Sequence, residues 1–422
     1  MKKFRIFSIK HSAFKVVYAL LLLLTLTDFA RTDELPPKEI ILGNSAAYRG
    51  ASRDLGIELY RGSMAYFTMI NAEGGINTKP IRILANDDGY NPLPAVKNTI
   101  KLIEEHRLNL LFGYVGTPTV TRVLPLLKKF EQEHIYLFFP FTGAEPQRQY
   151  PYDQYVFNLR ASYREETAGL VNLFVGLGLK KIAVFYQIDA YGRSGWDGVR
   201  NALKKHGLKI HSEATYRRGT KYPDSLNAQV QIIKDSGADA IISVGAYQAC
   251  AGFVRDAREA GFTGPIANVS FVGSEKMLAL LAEAEVKTGQ DYTYNLVNSQ
   301  VVPSYEDMSI PAVRQYRSWM KKANPKGPEE FMDVDYQSPE FSFVSFEGFL
   351  NARFMVEILQ RLEGVKRDKI GRAIETMGKI DIGLLEPVEF APGKHQALNT
   401  VYFTTVKDGR FVPIRDDSWL RR

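Results

Sequence analysis

Residues 116–119, Gly-Thr-Pro-Thr, lie between a β-rich run and a segment with helical apolar spacing. The spacing predicts Thr117 as the helix N-cap and Pro118 as the first helical residue. Backbone N–H groups at such a helix start have no helical partner, and with the helix dipole they attract a carboxylate or a phosphate. The alternative is that Thr117 only caps its own helix, and the sequence leaves both interpretations open.

Two tyrosines also follow predicted strands directly. Tyr191 lies in Asp-Ala-Tyr-Gly at 189–192, and Tyr247 ends Gly-Ala-Tyr at 245–247. Because ligands of open parallel sheets bind beyond the carboxyl ends of the strands, these rings could wall a pocket. Packing at a domain edge is the alternative for either ring.

Residue patterns typical of enzymes and metal centres do not assemble in this sequence. Gly-Leu-Gly at 176–178 precedes a predicted strand, which favours a helix stop over a nucleotide site, and 192–195 lacks the spacing of a nucleophile elbow. Asp87 and Asp88 are adjacent, so on an extended chain they point opposite ways, and we expect a surface turn rather than a metal site. Cys250 is expected to be a buried apolar residue. We therefore predict no enzyme, no metal and no cofactor.

Short β-rich runs alternate with longer segments of helical spacing. The runs are residues 39–44, 81–86, 108–115, 136–139, 181–186 and 240–244. Buried strands joined by crossover helices imply parallel sheets, so the predicted fold class is α/β. The 422 residues exceed one domain, and two sheets are expected. Residues 322–338, rich in Pro, Gly and charge, are expected to form a long surface loop.

The first thirty residues predict a signal peptide. Five basic residues precede an apolar run at 16–26, which is shorter than the roughly 20 residues that span a bilayer. An uncleaved anchor is the alternative. Cleavage near Ala30 would lower the net charge from +7 to +3, because five basic residues and one acidic residue would be lost. That charge, without a basic run, does not indicate nucleic-acid binding. No cysteine follows the run, so we expect a soluble protein in an exported compartment and not a lipoprotein.

Five motifs in this order resemble the type I periplasmic binding proteins. They are Gly-Asn-Ser-Ala at 43–46, Asn-Ala-Glu-Gly-Gly-Ile-Asn at 71–77, Asp-Asp-Gly-Tyr at 87–90, Gly-Thr-Pro-Thr at 116–119 and Asp-Ala-Tyr-Gly at 189–192. The chain is most similar to the leucine/isoleucine/valine-binding branch, the solute receptors of ABC importers. The resemblance extends from about residue 38 to 413.

The resemblance implies a two-lobed fold in which each lobe is a mainly parallel sheet flanked by helices. Lobe 1 would comprise residues 38–160 and 302–390, and lobe 2 would comprise 161–301 and 391–415. Three crossings between the lobes are expected, near residues 160–162, 298–302 and 390–394. A ligand cleft would lie between the lobes.

The resemblance also implies where the ligand carboxylate binds. In the family it is held at the turn that matches Thr117 and Thr119, and at the turn that matches Phe141, Thr142 and Gly143. Both turns follow predicted strands.

Further site residues follow from the same resemblance. Aromatic contacts from the second lobe match Tyr191 and Tyr247, and Tyr163 lies in Asn-Leu-Arg-Ala-Ser-Tyr at 158–163, which fits a subgroup of the branch. The acid that binds the ligand amine in the family would match Ser270, so the acid is absent here.

The absent acid counts against an α-amino-acid ligand, because a buried ammonium that lacks a partner costs several kcal/mol. Asp88, Asp189 or Glu166 could substitute for it, and the sequence does not place them.

Some members of the branch join two loops by a disulfide whose cysteines match Tyr90 and Gly116. Both are replaced here. We expect the Tyr90 ring to pack against the backbone at Gly116 and to form one wall of the cleft. The alternative is an exposed Tyr90 ring.

The resemblance implies a receptor that captures a small carboxylate-bearing molecule, amino-acid-like or an organic acid, and delivers it to the permease of an ABC importer. A ligand-sensing protein that signals to a regulator is the second hypothesis, and an α/β enzyme is the third. We expect a monomer without a nucleic-acid partner.

Overall fold

The computed structural model describes residues 39–333 and 336–421, and its first sheet consists of five parallel strands in the order β2-β1-β3-β4-β5. These strands are β1 Ile40–Gly43, β2 Ile81–Leu84, β3 Leu110–Phe112, β4 Tyr136–Phe138 and β5 Val156–Phe157. We call this sheet and the helices packed on it lobe 1.

The second sheet has seven strands in the order β12-β11-β10-β9-β8-β6-β7, and we call it with its helices lobe 2. These strands are β6 Ile182–Gln187, β7 Ser212–Tyr216, β8 Ala240–Val244, β9 Ile266–Asn268, β10 Leu296–Gln300, β11 Tyr402–Lys407 and β12 Arg410–Pro413. Only β11 and β12 run antiparallel to their neighbours.

Helices lie between most consecutive strands of the chain. They are α1 Arg53–Ala72, α2 Pro92–Glu104, α3 Thr117–Lys129, α4 Tyr163–Gly176, α5 Ala190–Lys205, α6 Asn227–Asp235, α7 Tyr247–Glu259, α8 Ser274–Thr288, α9 Pro311–Ala323, α10 Phe343–Arg361 and α11 Ile370–Glu375. The α/β class predicted from the sequence is confirmed.

Predictions that rest on a few consecutive residues agree with the structure. Each of the six predicted β-rich runs overlaps a strand, and β8 has the predicted bounds. Helix α4 stops at Gly176, and Gly178 follows with a φ of +83°, as the glycine pattern predicted. Cys250 is buried on α7.

The chain passes between the lobes three times, after β5, after β10 and before β11. The first and third passes pair with each other: Asn158 N–H donates to His395 O over 2.8 Å, and Leu398 N–H donates to Leu159 O over 2.8 Å. The third pass therefore pairs a few residues beyond the expected 390–394. Phe390 instead packs on Phe354 of lobe 1, with ring centroids 5.1 Å apart.

The expected surface loop at 322–338 is partly buried, which corrects the prediction. Pro325 accepts a hydrogen bond of 2.8 Å from Nε of the buried Arg61. Tyr336 donates to Glu58 Oε1 over 2.7 Å. The prediction used local composition, whereas these two hydrogen bonds to α1 join residues that are 264 and 278 positions apart in the chain.

The predicted signal peptide at 1–30 lies outside the described residues. Within residues 39–333 and 336–421, no helix combines the length and the hydropathy needed to cross a bilayer.

Helices α1 and α10 pack together through two glycines. A Cβ atom at Gly62 would lie 1.8 Å from the carbonyl oxygen of Ser345, and one at Gly348 would lie 2.1 Å from that of Leu59. Ser63 Oγ also donates to the Gly348 carbonyl over 2.9 Å. The close approach of the two backbones therefore requires glycine at both positions.

We predict that Gly62→Ala destabilises the protein, because the new methyl group must push two backbones apart. Overpacking of this kind costs about 1–3 kcal/mol, more than the ~1 kcal/mol that alanine gains over glycine in a helix. Chemical denaturation measures the change. Gly176→Ala is the matched control, since a Cβ there has no neighbour within 4 Å; equal stabilities of the two variants would refute the packing argument.

Candidate ligand cleft

The turn after β3 presents Thr117 at the start of α3. Gly116, with a φ of +104°, is the N-cap and Thr117 is the first helical residue, so the predicted cap is wrong by one position. Glycine adopts this backbone conformation readily, which explains why the turn is made there. Thr117 Oγ1 does not cap the helix but lies 2.7 Å from Thr142 Oγ1, and both residues are buried.

Tyr163 adds a third hydroxyl to this pair. Its N–H donates to the Gly143 carbonyl over 2.7 Å, and its ring lies so close that a Cβ at Gly143 would be 2.7 Å from Cδ1. Burial raises the pKa of Tyr163, and the nearby Thr117 and Thr142 hydroxyls oppose that rise. Neither makes a hydrogen bond of normal geometry with Tyr163 Oη, which is buried and unpartnered.

Thr119 supports the turn rather than adding a donor to it. Its hydroxyl donates to the carbonyls of Val115 and Gly116 over 2.6 and 2.8 Å. The single proton of the Thr119 hydroxyl is therefore used in hydrogen bonds to the backbone. The three remaining hydroxyls, on Thr117, Thr142 and Tyr163, form what we call the hydroxyl corner.

Aromatic rings from both lobes meet beside the hydroxyl corner. Phe271 of lobe 2 has its ring centroid 5.2 Å from that of Phe141 and 5.9 Å from that of Tyr90, both in lobe 1. Tyr191 lies 4.7 Å from Phe271 and 5.2 Å from Tyr163. All five rings are buried. The sequence did not single out Phe271, and its only signal was its position next to Ser270.

The expected contact between Tyr90 and Gly116 is confirmed. A Cβ at Gly116 would lie 2.1 Å from Cε2 of Tyr90, so the ring rests directly on the glycine. Gln187 Nε2 of lobe 2 donates to Tyr90 Oη over 3.4 Å. The Tyr90 ring is buried, which excludes the exposed alternative.

Tyr247 takes part in a separate polar contact between the lobes. Its hydroxyl donates to Asp54 Oδ2 on α1, and Lys276 Nζ on α8 lies 3.0 Å from Asp54 Oδ1. Of the two tyrosines that follow strands, Tyr191 packs on the Phe271 ring, whereas Tyr247 contacts Asp54.

Ser270 contacts a buried acid supplied from elsewhere in the chain. Glu166 Oε2 accepts from Ser270 N–H over 2.7 Å, and Oε1 accepts from Ser270 Oγ over 3.0 Å. Ser299 Oγ donates to Oε2 over 2.6 Å. Of the three acids considered from the sequence, Glu166 is therefore the one placed at Ser270.

Arg160 lies against this acid. Its Nη2 donates to Ser270 Oγ and is 3.6 Å from Glu166 Oε1, while Nη1 is 3.7 Å from Glu347 Oε1. The guanidinium carbon lies 4.6 Å from the centroid of the Phe141 ring. Burial raises the pKa of Glu347 to about 7, and Arg160 opposes that rise. From the sequence, Arg160 was expected only as part of a crossing between the lobes.

A turn follows the pair Asp87 and Asp88, in which Asn91 N–H donates to the Asp88 carbonyl over 2.9 Å, but Asp88 is buried, which corrects the expected surface position. Asp88 accepts from Ser45 Oγ and from Tyr90 N–H, each over 2.8 Å. Asp87 Oδ1 accepts from Tyr48 N–H over 2.8 Å. The described part of the chain contains no group of three or more His, Cys, Asp or Glu residues arranged to hold a metal.

The chain belongs to the periplasmic binding protein family. A family profile described as "Periplasmic binding protein" matches residues 39–410. The family and the fold are those of solute-binding proteins.

Similarity to individual proteins agrees with this membership. An "Amino acid binding protein" of Pseudomonas aeruginosa is 28% identical over 229 residues, which make up 53% of this chain and 59% of that protein, less than two thirds of its length. The crystal structure of a possible leucine/isoleucine/valine-binding protein from Rhodopirellula baltica SH 1 is 31% identical, with a TM-score of 0.78 over 92% of this chain and all of that one.

A branched chain amino acid ABC transporter structure from Thermus thermophilus with bound valine has a TM-score of 0.76 over 90% of this chain and 97% of that one. At 17% identity this likeness shows the fold alone. The family profile and the Rhodopirellula baltica structure confirm the predicted type I periplasmic binding protein fold and the resemblance to the leucine/isoleucine/valine-binding branch.

We predict a pH-dependent stability difference between the wild type and Asp88→Asn. Burial raises the pKa of Asp88 to about 7, so between pH 4 and 7 the folded state holds a proton that the unfolded state releases. The free energy of unfolding of the wild type should therefore fall relative to that of the variant as the pH rises through this range, by about 1.4 kcal/mol per unit of pKa shift. Urea unfolding at several pH values measures it, and a constant difference would contradict the prediction.

Proposed function

We propose that this protein is an exported receptor that captures a small carboxylate-bearing molecule between its lobes and delivers it to an ABC importer. The observation that carries the proposal is the hydroxyl corner of Thr117, Thr142 and Tyr163. It lies beside the start of α3 and is covered by aromatic rings of lobe 2.

The chemistry of the corner suits a carboxylate. A carboxylate accepts hydrogen bonds only, and the corner offers hydroxyl donors beside the first N–H groups of a helix. The site is buried, so these interactions are weakly screened. The aromatic rings of Tyr191 and Phe271 would contact the apolar part of the ligand.

Membership of the family supports export to the periplasm and partnership with the membrane subunits of an importer. We propose removal of the segment at 1–30 as a signal peptide, and a monomeric receptor that binds its ligand without catalysis. These proposals follow the family and the amino-terminal sequence pattern.

The direct test is to identify what the protein carries. The protein is purified from the periplasmic fraction without added ligand, denatured, and the released small molecules are analysed by mass spectrometry. A stoichiometric carboxylate that binds again to the refolded protein would support the proposal. A ligand without a carboxylate, such as a neutral sugar, would refute it.

We predict that Thr117→Val lowers the affinity for this ligand at least tenfold. The substitution removes one hydrogen bond to a charged group, worth about 1.5–3 kcal/mol, and ~1.4 kcal/mol corresponds to a factor of ten. Calorimetric titration measures the affinity per folded molecule.

Thr121→Val is the matched control on the same helix, because the Thr121 hydroxyl donates within α3 to the Thr117 carbonyl over 2.7 Å. The control should bind as the wild type does. A lower melting temperature with unaltered affinity in Thr117→Val would show that Thr117 is only structural.

We also predict that ligand shifts the protein from an open to a closed form by rotation about the three crossings. In this structure the lobes touch through Phe271 on Tyr90 and through Lys276 on Asp54. Small-angle scattering should give a larger radius of gyration without ligand than with saturating ligand. Equal radii in both conditions would argue against hinge closure.

A further inference from the structure

Three buried ionisable side chains meet at the first crossing. Arg160 belongs to the crossing, Glu166 lies on α4 in lobe 2, and Glu347 lies on α10 in lobe 1. Their exposures are 1%, 0% and 3%. The cluster adjoins the candidate cleft, because Arg160 packs on Phe141 and donates to Ser270.

Glu166 has no capacity left for a ligand. Its two oxygens accept three hydrogen bonds, from Ser270 N–H, Ser270 Oγ and Ser299 Oγ, and face the Arg160 guanidinium at 3.6 Å. A ligand ammonium at this place would have to displace one of these donors and lie beside a guanidinium of the same charge.

The other acids near the aromatic group are also engaged. Asp88 accepts from Ser45 and Tyr90, and Asp189 accepts from Gln187 Nε2 over 2.7 Å and from Tyr191 N–H over 2.9 Å. Glu347 faces Nη1 of Arg160 at 3.7 Å. Each of these carboxylates therefore already has a partner in the described structure.

Arg160 itself is incompletely partnered. Its Nε is buried and makes no hydrogen bond within the described residues, while the equally buried Nη1 has only the ion pair with Glu347 at 3.7 Å. Buried donors are nearly always paired, so the free Nε beside the candidate cleft indicates a position for an acceptor that the protein does not supply. A guanidinium remains charged at every relevant pH.

We infer that Arg160 supplies from within the protein the positive charge that an α-ammonium would bring, and that the receptor selects apolar carboxylates without an α-ammonium group. A 2-oxo acid fits best, because its keto oxygen is an acceptor beside the carboxylate. This inference rests on the proposed function and names the ligand class of the same site.

The test uses the wild-type protein and two series of acids that differ only at the α-carbon. The first is leucine, 4-methyl-2-oxopentanoate and 4-methylpentanoate, and the second is phenylalanine, phenylpyruvate and 3-phenylpropanoate. In at least one series the two acids without an ammonium should bind at least tenfold more tightly than the amino acid, with the 2-oxo acid tightest.

The outcomes separate the inference from the proposed function. An amino acid that binds as tightly as its 2-oxo analogue, or more tightly, overturns the inference and leaves the carboxylate receptor intact. Absence of binding by all six acids at millimolar concentration overturns the inference, and the small molecule released from the denatured protein then decides the carboxylate receptor separately.

Substitution of Arg160 gives a second test. Arg160→Gln removes the internal cation and leaves Glu166 without its charged partner, so relative affinity should shift towards the amino acid by at least tenfold. Arg160→Lys retains the charge and should keep the wild-type preference. An unchanged preference in a folded Arg160→Gln protein contradicts the inference, and if this variant does not fold, the wild-type comparison still decides.

Discussion

The buried ion pair between Arg160 and Glu166 is the constraint on which the centre of the molecule depends. An isolated charge inside a protein is costly, so each of these residues requires the other and the hydroxyls around them. Glu166 joins α4 to Ser270 and to Ser299 of β10, while Arg160 fixes the first crossing against Phe141. The pair therefore sets the geometry of the crossings and, through Ser270, the chemistry of the candidate cleft.

Two glycines, Gly116 and Gly143, shape the cleft as much as the side chains around them. Gly116 lets the Tyr90 ring rest on its backbone, and Gly143 does the same for Tyr163. The Tyr90 ring of lobe 1 then packs on Phe271 of lobe 2, and the Tyr163 ring at the start of α4 packs on Tyr191. An added Cβ at either glycine would collide with a ring, at 2.1 Å from Tyr90 or 2.7 Å from Tyr163, so the two turns and the aromatic group are coupled directly.

Local signals in the sequence predicted much of the fold and part of the site. The uncharged run at β8 and the glycine stop after α4 were predicted because a strand or a helix end is specified by a few consecutive residues. The pairing of Tyr90 with Gly116 was predicted because two replacements occurred together. The cap at Thr117 was placed one residue too late, since a threonine and a proline give the same signal whether the turn is made at Gly116 or at Thr117.

The sequence by itself determined the α/β class, the family and the order of the elements, because periodicity and short motifs are properties of neighbouring residues. Only the tertiary structure decided the partners of the buried charges. Arg160 meets Glu347 across 187 positions of sequence, and Ser270 meets Glu166 across 104. The packing of the two lobes determines such pairs, because their buried polar groups must find partners. No pattern within a single segment of sequence predicts them.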